Sequence, residues 1–429
     1  MKFSATFFFL VMSSSAFAQQ GSANTQSNLD LVWVIIAGAL VFMMQAGFGL
    51  LESGMSRSKN AVNVIMKNYT DVCVGSLIFF CVGYGLMFGN NLSGFWGEDN
   101  FFVEASSGAE WSFIFFQTMF AATAVTIASG AMAERTKFVG YIIGAIVICA
   151  VVYPIYGSWV WGSYYEGQGW LAQRGFIDFA GSTVVHSIGA WCALAGIIIL
   201  GPRLGRFTQD GQMTDIPAHN MMYVALGGFF LWLGWFGFNA GSTLAAIDDI
   251  GLIVYNTQLA ASAGVVGVIV MMLVTGNKIL ASKIINGSLA GLVGVTAGVA
   301  TMSPTYAILT GFVAGFIYLL GEEVLQAFRV DDVVGAVSVH GFCGVWGTVA
   351  AGLFFQDDLF NMDIVVTQLI GIGAAFLWSF PLMLLVFKLI DMTIGLRASA
   401  TEEMKGLDYT EHHELGYPEF QTNKLFNDN

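Results

Sequence analysis

Charge is scarce in this chain: Asp, Glu, Lys and Arg make up 10% of its 429 residues, against roughly 25% in soluble globular domains. That shortage excludes a water-soluble fold. The five cysteines, Cys73, Cys81, Cys149, Cys192 and Cys343, all fall in apolar stretches at no metal-ligand spacing, so neither a metal centre nor disulfides are expected. The sequence has no G-x-x-x-x-G-K-[ST] loop and no glycine-rich turn after a strand, which excludes a self-contained nucleotide-driven machine. It also lacks any nucleophile or metal constellation, so an enzyme, a cofactor and a nucleic-acid partner are not expected.

Hydrocarbon is abundant instead. Hydrophobic residues reach 56%, which with so little charge describes a polytopic membrane protein, all-α and surrounded by lipid. Met1-Lys2, the apolar run from Phe3 to Met12 and Ala16-Phe17-Ala18 read as a signal peptide, residues 1–18. Eleven spans follow, near 31–52, 68–88, 112–132, 138–158, 179–201, 219–241, 252–274, 284–302, 305–325, 336–355 and 364–390. The membrane domain is then 19–391, in the cytoplasmic (inner) membrane, with a cytoplasmic tail over 392–429. Lys and Arg agree with an outside N-terminus and an inside C-terminus. Of the fifteen after Lys2, only Arg174 falls in an outer loop, while Arg57, Lys59, Lys67, Arg135, Lys137, Arg203 and Arg206 gather at inner ends. The net charge of -13 comes largely from solvated outer loops and the tail. Small-xxx-small spacings such as Gly287/Gly291 and Gly294/Gly298 predict close helix packing.

Two histidines, His186 and His340, lie within the fifth and tenth spans with almost no ionisable company. An imidazole in hydrocarbon is costly and marks a pathway or site. Each follows an aspartate by eight residues, Asp178 and Asp332. If each aspartate opens a helix, each histidine is carried about 12 Å inward, near the middle of a core about 30 Å thick. The surrounding segments are alike: Val184-Val185-His186 with Trp191 and Gly196, against Ser338-Val339-His340 with Trp346 and Gly352. An offset of five spans inverts orientation, so spans one to five and six to ten form an inverted five-plus-five repeat, with span eleven added. His219, His412 and His413 are expected to be solvated.

The stretches Asp178-Phe179-Ala180-Gly181-Ser182 running on to His186, Gly234 to Ser242, Gly130-Ala131-Met132-Ala133-Glu134-Arg135 and Val339-His340-Gly341 resemble the ammonium transporter family (the Amt/Mep/Rh superfamily), on the Amt side. The likeness extends from Gly47-Phe48-Gly49-Leu50-Leu51-Glu52 to the tail segment Glu402 to Asp408. It implies ammonium or ammonia transport, with methylammonium as an analogue, by a homotrimer with one pathway in each protomer. By the same resemblance, Trp161, Phe120 and Ser242 form an outer cation site, with Phe116 and Gln117 at the same mouth. Phe120 and Phe238 stack to occlude the path, Trp235 and Phe179 line it, and Asp178 holds the outer site together. A small cation gains about 0.5–2 kcal/mol from an aromatic face. His186 and His340 would share a proton between facing nitrogens, since neutral imidazole has one donor and one acceptor.

Many relatives carry an acidic residue five positions before the second histidine, where this chain has Gly335, and the loop from Gly162 to Ile177 is longer than in compact members. The tail resembles the family tail that docks on the neighbouring protomer, and a PII-type nitrogen-signalling protein is the implied partner. An ammonium sensor acting through a cytoplasmic partner is the alternative, and a neutral-gas channel is disfavoured by Trp161 and Ser242.

Overall fold

The computed structural model describes the backbone of residues 4–162 and 164–420, with side chains from residue 24 onward. The expected leader begins outside the described residues, and its side chains lie outside them throughout. Eleven apolar helices stand where eleven spans are read from hydropathy. They are α1 (Asn24–Met55, continuing a helix that starts at Ser4), α2 (Ser58–Phe88), α3 (Gly108–Ala131), α4 (Phe138–Trp161), α5 (Ser182–Leu200), α6 (Met221–Gly241), α7 (Asp249–Val274), α8 (Ala281–Thr296), α9 (Pro304–Ala327), α10 (Val337–Leu353) and α11 (Met362–Thr393). Nine are long and apolar enough to cross a membrane by themselves; α8 and α10 are shorter. Among the described residues there is no β-strand beyond three isolated bridges.

Helix starts carry their own chemistry. Ser107 accepts the Glu110 N–H ahead of α3, Asn220 caps α6, Asn361 caps α11, and Pro304 opens α9 where its missing N–H costs nothing. Glycine then allows backbones to touch. A Cβ on Gly264 of α7 would come 2.2 Å from the Gly287 carbonyl of α8, and one on Gly311 of α9 would come 2.2 Å from that of Ala260. In lipid such close approach is a main source of helix association.

The inverted repeat is visible in detail at α5 and α10. Asp178 accepts the N–H groups of Gly181, Thr183 and Val184; Asp332 accepts those of Gly335, Ala336 and Val337. The third residue after each aspartate is a glycine at positive φ, +115° at Gly181 and +78° at Gly335. Each lead-in then enters a π-helical turn, Ser182–Ser187 or Val337–Phe342, that carries the histidine. The α5 lead-in rests on the end of α8, with Phe179 and Ala180 donating to the carbonyls of Ala297 and Thr296. The α10 lead-in meets the end of α3, where a Cβ on Gly130 would lie 2.7 Å from Val334. Elements three and eight occupy equivalent places, as an offset of five demands.

At the end bearing the C-terminal segment, the arginines read from the sequence as loop charges are sequestered. Glu134 accepts from Arg57 and, at 2.6 Å, from Arg203, which also forks onto Asp331 at 2.8 and 3.0 Å. Burial opposes the charge on both acids, but the guanidinium groups outweigh it and hold both carboxyls below the ordinary range, Arg203 and Arg57 acting on Glu134, Arg203 and Arg135 on Asp331. Arg135 is buried and donates to the carbonyls of Ala131, Ala133 and Asp331. Lys67, also read as an inner-end charge, is buried within α2.

The C-terminal segment folds onto this end of the protomer. Its two short helices, α12 (Ala400–Lys405) and α13 (Leu407–His412), follow α11 too closely to travel far. Glu403 accepts from Arg397 and from the Leu204 N–H, Lys59 donates to the carbonyls of Glu403 and Met404, and Asp408 accepts the Asn63 N–H. His412 consequently meets Asn63, and His219 lies between the Ser56 carbonyl and the Tyr417 hydroxyl, so neither is free in solvent as expected. All five cysteines are free thiols, and Cys73 is exposed.

Candidate functional site

At the opposite end, between α3, α4 and α6, lies a pocket of about 220 Å³. Trp161, Phe116, Gln117, Phe120, Phe179 and Ser242 line it, which brings together the residues assigned to the mouth from the sequence. Trp161 ends α4 and is fixed there by its indole N–H, which donates to the Asp178 carbonyl at 2.7 Å. Its ring also sits over Gly181, where a Cβ would come within 3.1 Å. The longer loop after it therefore leaves Trp161 at the mouth. The Ser242 hydroxyl donates to the Phe238 carbonyl at 2.8 Å, keeping its oxygen lone pairs available. The Gln117 Oε1 is buried and accepts nothing from the described residues.

Below the pocket the rings form a column. Phe120 stands edge-on to Trp161 at 6.2 Å and stacks on Phe238 at 4.0 Å and 15°. Phe238 lies 5.3 Å from the His186 ring, and Trp235 stacks on the same ring at 4.9 Å. The Trp235 indole donates to Thr296, which fixes the plane that the histidine lies against. His186 and His340 face each other with Nδ1 atoms 3.2 Å apart, so one nitrogen donates and the other accepts. Both rings are buried, and His186 Nε2 has no hydrogen-bond partner among the described residues. The two halves cross tightly here, since a Cβ on Gly344 of α10 would strike the Ser187 Oγ of α5 at 2.4 Å.

Asp178 is not in the pocket wall. Its carboxylate is spent on the three N–H groups that begin α5, so it shapes the mouth through Trp161 and the lead-in. Gly335 is the repeat partner of Gly181, and a side chain there would need the left-handed backbone that L-residues avoid. The acidic member of that turn is Asp332.

Sequence reasoning missed Phe88, Phe113 and Leu244 in the pocket wall. Phe113 lies one turn before Gln117 and helical spacing could have found it; nothing local marks Phe88. Also missed is a cavity of about 20 Å³ below His340, lined in part by Glu52 and Asn286, which opens toward a vestibule of about 300 Å³ at the C-terminal end.

Comparison with known proteins agrees with the geometry. Residues 32–417 match the model of the Ammonium Transporter Family. The chain is 42% identical over 425 residues to the ammonium transporter Amt2 of Archaeoglobus fulgidus, covering 92% of this chain and 90% of that one. It is 37% identical over 415 residues to Amt1 of Haloferax mediterranei, covering 91% and 80%. Among solved structures, one titled "Sensor Amt Protein" superposes with a TM-score of 0.88 at 40% identity, covering 91% of this chain and all of that one. Saccharomyces cerevisiae Mep2 gives 0.80 at 28%, covering 87% and 90%. The chain is a multi-pass membrane protein, not an enzyme, and belongs to the Ammonium Transporter Family.

Proposed function

We propose that the chain takes ammonium from the Trp161 side, strips a proton from it and conducts ammonia past His186 and His340. The observation that carries this reading is the unbroken alignment of the aromatic pocket, the Phe120–Phe238 stack and the Nδ1–Nδ1 contact of 3.2 Å. Trp161, Phe116 and Phe120 offer ring faces to a small cation, while Ser242 and Gln117 accept its N–H groups. The stacked phenylalanines offer neither polar group nor space to a hydrated ion, so desolvation there favours the neutral species. Ammonia passing below them meets imidazole nitrogens, and the released proton travels separately along the two rings. Phe238 closes the path and Trp235 holds the His186 plane.

The Trp161 end is taken as external and the C-terminal end as cytoplasmic, in the inner membrane, with 1–18 as a removed leader, 19–391 as the transport domain and 392–429 as a regulatory tail. The positive-inside distribution supports this orientation. A homotrimer is supported by the apolar groove of about 780 Å³ on α1, α2 and α3, edged by Phe42, Met43 and Tyr69. A PII-type protein would dock at the C-terminal end. Labelled methylammonium uptake in proteoliposomes tests the reading. Intact protein takes up the label against a potassium background; His186→Ala and His340→Ala lose uptake or lose selectivity. Wild-type uptake and selectivity in both variants would overturn the mechanism.

A further inference from the structure

Below the histidine pair the path narrows to the cavity of about 20 Å³, room for a single water. Two ionisable side chains line it, His340 and Glu52. The cavity shares Asn286, Val334 and Gly335 with the larger vestibule at the C-terminal end, so the two adjoin, and Glu52 lines the one next to His340.

Glu52 is 1% exposed, near the end of α1. Its Oε2 accepts the Asn68 amide at 2.8 Å, and no described cation pairs with it. Lys67 acts on it electrostatically but makes no ion-pair contact with it, and the neighbouring ionisable groups make bonds of their own. Lys67 donates to the Ser129 carbonyl at 3.0 Å and sits over the Tyr141 ring, Asp71 accepts from the Tyr141 hydroxyl at 2.6 Å, and Asp332 holds the α10 lead-in. Gly130 leaves the carboxyl its room, since a Cβ there would lie 2.9 Å from Oε1. A carboxyl buried at the inner end of a membrane helix, with no cation within ion-pair distance, is expensive, and in transporters such groups mark proton paths. For packing alone, a glutamine would accept the Asn68 bond equally well.

We propose that Glu52 is the proton-exchange group on the far side of the histidine pair. A proton arriving through the imidazoles crosses the small cavity to the Glu52 carboxylate. Ammonia passing through the small cavity toward the vestibule takes it up there: the carboxyl O–H bond breaks, an N–H bond forms, and carboxylate and ammonium result. The step rests on the transport reading above.

The test measures net charge moved per labelled methylammonium taken up, in the same proteoliposomes, for intact protein, Glu52→Gln and Glu52→Asp. Glu52→Gln is expected to lower that ratio at least tenfold while uptake persists, and Glu52→Asp to recover most of it. Should Glu52→Gln fail to fold, Asn68→Leu, which removes the bound amide but keeps the carboxyl, is expected to change the ratio by threefold or more. An unchanged ratio in the variant that folds, including one in which charge and uptake fall together, overturns the inference and leaves the transport reading standing. Uptake without charge by the intact protein overturns it too, and absence of any uptake by the intact protein overturns the transport reading itself.

Discussion

Gly181 shows how closely single positions are specified. Its φ of +115° alone costs an alanine roughly 1–2 kcal/mol, and a Cβ there would also press on Val185 at 2.7 Å and on Trp161. Gly181→Ala should therefore lower the melting temperature in detergent more than Gly335→Ala, whose nearest contact is the terminal amide of Asn286 at 2.9 Å. Trp161 has a different balance. Replacing it with leucine removes the ring face over the pocket and one hydrogen bond to the Asp178 carbonyl, without opening the core. On the proposed reading, Trp161→Leu weakens apparent methylammonium affinity by roughly 2- to 30-fold, the ratio corresponding to 0.5–2 kcal/mol, with assembly unchanged by size-exclusion chromatography. Unchanged saturation kinetics would assign the ring to packing.

The π-helical turns of α5 and α10 set where the histidines point. One extra residue per turn rotates everything after it relative to an α-helix, and such insertions are frequent at functional positions. Deleting Val185 should restore α-geometry in α5 and swing His186 by about 100°, out of reach of His340. The protein is expected to insert and melt cooperatively but to lose methylammonium uptake; retained uptake would show that the pair need not face. Nothing in the sequence announces these turns, because apolar composition hides helical period where every face is buried. The eleven spans were legible for the opposite reason, since length and apolarity suffice for them and lipid requires nothing subtler. The Asp-to-His interval was legible too, whereas the glycine at positive φ inside it became meaningful only when both lead-ins could be overlaid. Phe88 and Glu52 stayed hidden because each joins its cavity through long-range packing, whereas Phe113 was within reach of helical spacing from Gln117.

Across the molecule, the two ends are built differently, with rings at one and buried ion pairs at the other. Glu134 and Asp331 are held below their ordinary values of 4.5 and 3.8 by Arg57, Arg203 and Arg135. Carboxyls depressed in the folded state contribute stability that is fully present above the unfolded values and is lost as pH falls through the folded ones. Thermal stability should thus be flat with respect to this network from about pH 7 to 5 and decline below pH 4.5, and Glu134→Gln should lower the melting temperature at pH 7 with a smaller effect at pH 3.5. Removing one partner of such a buried network costs about 3–5 kcal/mol. The C-terminal segment joins the same network through Glu403. Glu403→Gln weakens its bonds to Arg397 and the Leu204 N–H, so hydrogen exchange in residues 400–412 should rise several-fold while the membrane helices keep their protection. Unchanged exchange would show that docking does not depend on that carboxylate.

The backbone symmetry between α5 and α10 carries one more implication. A path whose two halves are the same motif turned upside down has no built-in arrow: the capped lead-in, the glycine bend and the imidazole recur in reverse order for a molecule travelling the other way. Nothing in that backbone can act as a ratchet. On the proposed reading, direction is left to the gradient and to the unlike mouths, a ring-lined one that collects cations and a charge-lined one that does not, so the protein resembles a valve with dissimilar lips more than a pump with a stroke.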